Sequence, residues 1–219
     1  MIVVTACFSR NPAQPYDSPK RPPDGVDEAV CFTDDPAWFD AGWQPPPHDR
    51  NCLIVHPRFR GKAPKAAPHL FFGDQDVLWI DSSMRWTGKS LSSLFDCVHP
   101  GGVGCFKHRF RDCVYEEAEA SLAPGFHRYT REPIREQVAH YRTRGHPERF
   151  GLWELGTIVW RGAQRIIGER WLSEMLAWTS QDQLSFPIAC RAHGLNPVTL
   201  RGDAVTNEWF HYETHNLHD

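Results

Sequence analysis

The chain opens with short apolar runs that do not alternate with polar residues. Residues 2–8 (IVVTACF), 28–33 (EAVCFT), 52–55 (CLIV) and 77–80 (VLWI) are of this kind, rich in β-branched and aromatic side chains. Such runs predict strands buried on both faces, as in a parallel sheet flanked by helices. Stretches 11–25 and 42–47 are proline-rich and predict loops, and the segments joining the early strands carry little helical periodicity. Further on, 112–122 and 131–141 predict helices, the second with Pro133 in its first turn. The run 151–160 (GLWELGTIVW) predicts a late strand interrupted by Gly156, which marks a bulge or a close ligand approach. Ile166, Ile167, Trp171, Leu172, Met175, Leu176 and Trp178 recur at helical spacing, so 163–178 is an amphipathic helix with core tryptophans. Residues 180–192 (SQDQLSFPIACRA) predict a short helix opened by a capping Ser180, and 198–201 an extended segment. The spacing Gly101-Gly102-Val103-Gly104 reads as a glycine-rich turn. Neither a GxGxxG fingerprint nor a Walker lysine loop is present.

Composition narrows the class. A chain of 219 residues without an evident linker suits one sizeable α/β domain, and 41% hydrophobic content with nine tryptophans suits a folded globule. A formal net charge of −3 implies no general attraction to nucleic acid or an anionic membrane. Seven scattered cysteines without a CxxC pair favour reduced, core-facing thiols over disulfides or a zinc ribbon. No apolar run is long enough for a signal peptide or membrane span, so a soluble, cytoplasmic protein is expected.

Candidate chemistry gathers where the apolar runs stop. The run 77–80 ends in Asp81-Ser82-Ser83, which places a carboxylate at the carboxyl end of a buried strand, where open α/β sheets bind ligands. Burying an unpaired carboxylate is costly, so Asp81 is solvated, hydrogen-bonded or metal-bound, unless it caps the next helix. Asp34, next to Asp35-Pro36, either forms a turn or marks a second strand-end site. Arg50, Arg58, Arg60, Lys62 and Lys65 fall in a stretch with no acidic residue between Asp49 and Asp74. That run is either a solvated basic face or a phosphate-binding edge, where guanidinium forks and a lysine point charge match a diphosphate. Glu154 stands in an apolar setting, and Asp182 and Gln183 open a helix. His211, His215 and His218 lie near the end of the chain. A His-x3-His spacing binds metal from one helix face, although a histidine tail is otherwise surface.

Six segments together carry a resemblance: CFTDDP, LIVHPRFRGKAPKAAPHLFF, VLWIDSSMRW, HRFRDCVYEEAEA, GLWELGTIVWR and SQDQLSFP, in order from Cys31 to Pro187. They resemble the glycosyltransferase-like domain of plant mucilage-biosynthesis proteins and their bacterial and phage relatives. In the last motif Gln181 replaces the usual basic residue. The resemblance implies an α/β fold, a single compact GT-A-like domain over residues 1–219, with a Rossmann-like mixed sheet flanked by helices. It also implies transfer of a sugar from a nucleotide-diphosphate donor to a hydroxyl acceptor. Asp81 would hold a divalent cation, Mn2+ or Mg2+, on the donor diphosphate. Ser83 stands where many related transferases have a second Asp, so either the reaction does not depend on a metal or the ion needs another ligand, for which His211 and His215 become candidates. Lys65 would lie near the phosphates, Thr33 and Asp34 near the nucleoside, and Asp182 with Gln183 beside the anomeric carbon.

Two other classes share some of these features. A metal-dependent hydrolase would use His211 and His215 on zinc, but neither HExxH nor GxSxG occurs. A non-catalytic carbohydrate-binding protein would draw aromatic platforms from the nine tryptophans. For the acceptor, a cytosolic saccharide ranks above a hydroxylated base in phage DNA. Residues 107–149 carry nine Lys or Arg against seven Asp or Glu, a weaker basic footprint than DNA enzymes show.

Overall fold

The computed structural model describes residues 1–8, 17–47, 56–125, 127–129, 131–162 and 164–213. Its main sheet contains β1 (Ile2–Cys7), β2 (Glu28–Thr33), β3 (Val77–Ile80), β5 (Val103–Lys107), β6 (Trp153–Trp160) and β7 (Val198–Thr199). They lie in the order β2-β1-β3-β6-β5-β7. β1 runs parallel to both β2 and β3, β6 is antiparallel to β3 and β5, and β5 is parallel to β7. A separate antiparallel ribbon joins β4 (Met84–Trp86) to β8 (Phe210–Tyr212). The eight α-helices among the described residues are α1 (Ala37–Asp40), α2 (Pro57–Ala66), α3 (His69–Phe72), α4 (Ser92–Asp96), α5 (Val114–Ser121), α6 (Ile134–Thr143), α7 (Arg165–Ala177) and α8 (Asp182–Ala192). None is long and apolar enough to cross a membrane.

Both faces of the sheet are covered, which is why its strands read as unbroken apolar runs. Ile2, Val4, Phe32, Trp79 and Ile158 pack on one side against Ala63 and Ala66 of α2, Trp171 and Met175 of α7, and Phe186 and Ala189 of α8. Val3, Cys31, Leu78, Ile80 and Val159 face the other side, covered by Trp38, Leu94, Phe95, Trp209 and Phe210. A third cluster, with Val114, Tyr115, Ile134, Tyr141 and Leu184, joins α5 and α6 to α8. Seven of the tryptophans are buried, and Trp86 and Trp178 are half-buried. Of the nine tryptophans only Trp86 and Trp178 keep exposed surface from which a binding module could draw a platform. The six described cysteines are all free thiols, five of them buried and Cys97 exposed.

Two expected elements change and one falls outside the described residues. The basic run holds a helix, α2, despite Gly61 and Pro64, because Ala63 and Ala66 are buried against the sheet. Only the second half of the glycine-rich stretch, Val103-Gly104, belongs to strand β5, where packing calls for Gly104: a Cβ there would clash with Val98 and meet Leu200 at 3.0 Å. The strand expected at 52–55 lies outside the described residues. Ser180 does not cap α8, since Gln181 holds the N-cap position. The Ser180 amide and hydroxyl instead donate to the Glu132 carboxylate at 2.5 and 2.6 Å.

The bulge expected at Gly156 is present. Cys105 pairs with Ile158, but its neighbour Phe106 pairs with Glu154, so β6 departs from register across 155–157. At that irregularity the Gly156 carbonyl accepts the Asp81 N–H at 2.7 Å. The bulge thus fixes the backbone of Asp81 at the carboxyl end of β3 and turns Glu154 and Gly156 into the wall of a cleft.

Candidate active site

The cleft has a volume of about 430 Å³ and opens beyond the carboxyl end of β3. One wall is α2. Arg58, Lys62 and Lys65 follow one another at i, i+4 and i+7, so a helix puts them on one face. Each meets an acid there. Arg58 Nη1 donates to Glu132 Oε1 at 2.9 Å, Lys62 Nζ to Asp182 Oδ2 at 2.5 Å, and Lys65 Nζ to Asp182 Oδ2 at 2.7 Å and Asp81 Oδ1 at 3.1 Å. Asp81 Oδ1 also accepts the Trp79 indole N–H at 2.7 Å. Lys65 therefore bridges the strand-end carboxylate to the carboxylate in the first turn of α8, where the positive end of the helix dipole also favours negative charge.

Lys62, Lys65 and Asp182 lie largely out of solvent, while Asp81 keeps 41% of its side chain exposed, and at those three groups burial competes with Coulomb attraction. Burial alone would raise the Asp182 carboxyl, but Lys62 and Lys65 overcome it and hold it well below the usual carboxylate range. Burial lowers Lys62 to about 8; Asp182 opposes that fall and the Lys65 charge adds to it. For Lys65 burial also acts downward, yet Asp182 and Asp81 together raise it above the usual lysine value. Asp182 is thus an anion clamped by two cations, well suited to oppose a developing positive charge and poorly suited to take up a proton.

The facing wall is built from the β5–α5 connection and β6. Arg109 Nε donates to both oxygens of Glu154, at 2.9 and 3.2 Å. Arg111 Nε donates to Glu117 Oε2 at 2.6 Å, and Gln181 Nε2 donates to Glu117 Oε1 at 3.0 Å. His108 Nδ1 accepts the backbone N–H of Phe110 at 3.2 Å and of Arg111 at 3.1 Å. Its proton then sits on Nε2, 3.4 Å from Glu117 Oε2. Burial raises the Glu117 carboxyl despite Arg111, and lowers His108. Tyr129 donates to Gln181 Oε1 at 3.2 Å, and Tyr212 closes the cleft from the β4–β8 ribbon.

A model of the family described as TOD1/MUCI70, glycosyltransferase-like domain, matches residues 50–199. The chain belongs to this glycosyltransferase-like family. No curated protein and no solved structure matched it. The mixed sheet with helices on both faces is the GT-A-like α/β arrangement the resemblance implied. The matched span of the glycosyltransferase-like domain holds α2, Asp81, Glu154 and Asp182. It leaves out the CFTDDP segment with Thr33 and Asp34, and also His211 and His215.

The cleft brings together Lys65, Asp81, Ser83, Glu154, Asp182 and Gln183 of the residues expected from sequence. Arg58 stands behind that wall, on Glu132 and over the Tyr129 ring at 5.4 Å. Arg60 points elsewhere on the helix and stacks on Phe8 at 4.4 Å. Thr33 and Asp34 are at the carboxyl end of β2, on the same sheet edge as Asp81 but with β1 between them, roughly 10 Å of strand spacing away. Thr33 Oγ1 accepts the Asp35 N–H at 3.0 Å, and Asp35, not Asp34, turns the chain by accepting from Ala37 at 3.0 Å. His211 lies in strand β8, not a helix, so the helical His-x3-His spacing does not apply at it, and strand alternation puts it opposite the cleft-lining Tyr212. His215 lies outside the described residues.

Lys62, named in the basic run, also lines the cleft, as do His108, Arg109, Arg111, Glu117 and Tyr129, which had not been singled out as site residues. The usable signal was the charge density of HRFRDCVYEE, whose cations and acids face each other once the 108–111 turn is closed. The divalent ion implied by the resemblance finds a poor donor set. Asp81 Oδ1 is taken by Lys65 and Trp79, Ser83 supplies a neutral hydroxyl, and Glu117 and Glu154 are engaged by arginines. Among the described residues no three His, Cys, Asp or Glu side chains are placed to share a metal ion. These residues do not fit the cation.

Proposed function

We propose that the protein transfers a sugar from a nucleotide-diphosphate donor to a saccharide hydroxyl. The observation that carries this reading is the pair of lysines facing Asp81 and Asp182 in a cleft beyond the carboxyl end of β3. In the reaction the bond between the anomeric carbon and the diphosphate oxygen breaks, and the acceptor oxygen forms the new bond. The leaving diphosphate takes the electron pair. Its charge is opposed by Lys65 and Lys62, each worth roughly 4 kcal/mol at about 4 Å and an effective dielectric near 20. Asp182, kept ionised by those lysines, opposes the positive charge that develops on the sugar ring. The proton of the acceptor hydroxyl goes to Glu154, whose oriented carboxylate lines the opposite wall. Gln183 is held by donating to the Trp153 carbonyl at 3.2 Å and borders the same space.

A saccharide is favoured over hydroxylated DNA because, among the described residues, two of the cleft arginines, Arg109 and Arg111, are paired with acids, which weakens any basic face there. The test offers labelled nucleotide sugars with a panel of simple saccharides and with hydroxymethylated duplex DNA. Transfer to saccharide is the expected result. Transfer only to DNA, collapsing as salt rises, reverses the ranking, and no transfer from any nucleotide sugar defeats the reading.

A further inference from the structure

We infer that Lys65, assisted by Lys62, stands in this chain where a related transferase would place a divalent cation, so that the donor diphosphate is neutralised by ammonium groups without a metal. The inference rests on the transferase reading above. Three observations converge on it. The first is position: Lys65 Nζ lies 3.1 Å from Asp81 Oδ1 and 2.7 Å from Asp182 Oδ2, bridging the two carboxylates as an ion would. An added cation would have to displace it or sit against it.

The second is the donor set. A hard divalent ion prefers several charged or carbonyl oxygens. Here one Asp81 oxygen is already shared by an ammonium and an indole N–H, and the second motif position is the buried hydroxyl of Ser83. The Asp182 oxygen that faces Asp81 through Lys65 also takes Lys62. The other cleft carboxylates, Glu117 and Glu154, are held by Arg111 and Arg109 on the far wall.

The third is support. The lysines project from a helix whose Ala63 and Ala66 are buried in the core. That helix is crossed so closely by α7 that a Cβ on Gly168 would meet the Ala66 carbonyl at 2.7 Å. The ammonium groups are consequently placed by the fold and do not wander in from a surface loop. Of the two, Lys65 is the permanent cation, because Asp182 and Asp81 outweigh its burial, whereas burial brings Lys62 down to about 8.

The experiment is a Mn2+ titration of the intact protein read by electron paramagnetic resonance, with wild type, Lys65→Met and Asp81→Asn, followed by UDP and GDP binding in EDTA and in Mn2+. Wild type is expected to take up Mn2+ no tighter than about 1 mM. Lys65→Met, with the bridge removed between two carboxylates, is expected to gain at least tenfold in Mn2+ affinity. Nucleoside-diphosphate affinity of the wild type should agree in the two buffers. Micromolar Mn2+ uptake by wild type that Asp81→Asn abolishes overturns the inference, as does a tenfold loss of UDP or GDP binding in EDTA. The wild-type titration decides the matter even where Lys65→Met does not fold. Absence of UDP and GDP binding in both buffers defeats the transferase reading, and the diphosphate role of Lys65 with it. Mn2+-dependent nucleotide binding leaves the transferase reading standing and sinks the lysine substitution alone.

Discussion

The two walls of the cleft solve the same electrostatic problem with different residues. On the α2 side, two lysines neutralise two aspartates, and the central ammonium is 2% exposed. On the β5–α5 side, two arginines neutralise two glutamates, and Arg109 is 36% exposed. An arginine fork fixes the orientation of a carboxylate and stays charged at any relevant pH. A buried lysine is a point charge that can redirect toward an arriving anion and whose proton depends on its surroundings. The lysine wall is accordingly the one suited to receive a diphosphate, and the arginine wall the one suited to hold a carboxylate still for an acceptor hydroxyl. The difference also predicts where stability and activity separate.

Breaking the lysine wall should be the most damaging. Asp182→Asn leaves two ammoniums facing each other with one partner fewer, and removing one member of a buried pair costs about 3–5 kcal/mol. Urea unfolding followed by fluorescence measures this, and a loss under about 1 kcal/mol would show that the network does not hold the fold. Because its carboxyl is held below the ordinary range, Asp182 contributes that stability in full above the usual carboxylate pKa. The contribution drains away as pH falls from there and is gone once pH passes its depressed folded value.

The arginine wall should respond in the opposite way. Glu154→Gln keeps the shape and a hydrogen bond to Arg109, so stability should stay within about 0.5 kcal/mol. If Glu154 accepts the acceptor proton, kcat should fall about 10²-fold while UDP or GDP binding is unchanged. Equal activity of Glu154→Gln and wild type would remove Glu154 from the chemistry.

Much of this comparison was legible before any coordinates. Asp81 is announced by an unbroken apolar run that stops at a carboxylate, and Asp182 by its place at a helix start. The helix that brings Lys62 and Lys65 between them was not legible. PRFRGKAPKA has no apolar stripe and contains glycine and proline, so only its contact with the sheet makes it helical. Strand β5 was hidden for a related reason, since Gly104 is there to admit Val98 and Leu200 and not to turn the chain. The arginine wall depended on a turn closed by His108 accepting two backbone N–H groups, a contact with no sequence period. His211 shows the converse, a reasonable residue type that strand alternation turns from the cleft, while Thr33 and Asp34 stay at the same end of the sheet, one strand removed from Asp81.

The placement of α2 can be sharpened through a residue outside the cleft. Gly168→Ala puts a methyl 2.7 Å from the Ala66 carbonyl, with backbone on the other side of the contact. Overpacking of this kind costs about 1–3 kcal/mol. It should also weaken UDP or GDP binding, because α2 carries the lysines, while leaving the Arg109–Glu154 pair undisturbed. A variant with lowered stability and unaltered nucleotide affinity would disconnect α2 placement from donor binding.

The smallest expected effect is a pH limb that belongs to the lysine wall alone. Lys62 is surrounded by Asp182, Lys65, Asp81 and Arg128, and burial outweighs the two acids to bring it to about 8. Its folded value is lower than its unfolded one, so the unfolded chain binds more protons between pH 8 and the usual lysine range near 10.5. The Lys62 contribution to stability therefore improves as pH rises through that window. Diphosphate affinity moves the other way, because the same deprotonation removes a cation while Lys65, raised by its two carboxylates, stays charged. The expected loss is about tenfold or less, equivalent to about 1.4 kcal/mol. It begins near 8 and levels off at a higher pH, since a bound diphosphate pulls the Lys62 pKa back up. Lys62→Arg should flatten the limb, as the guanidinium does not titrate there. Isothermal titration with UDP and GDP from pH 7 to 10 checks it, and a limb of equal size in Lys62→Arg would assign the titration to another group.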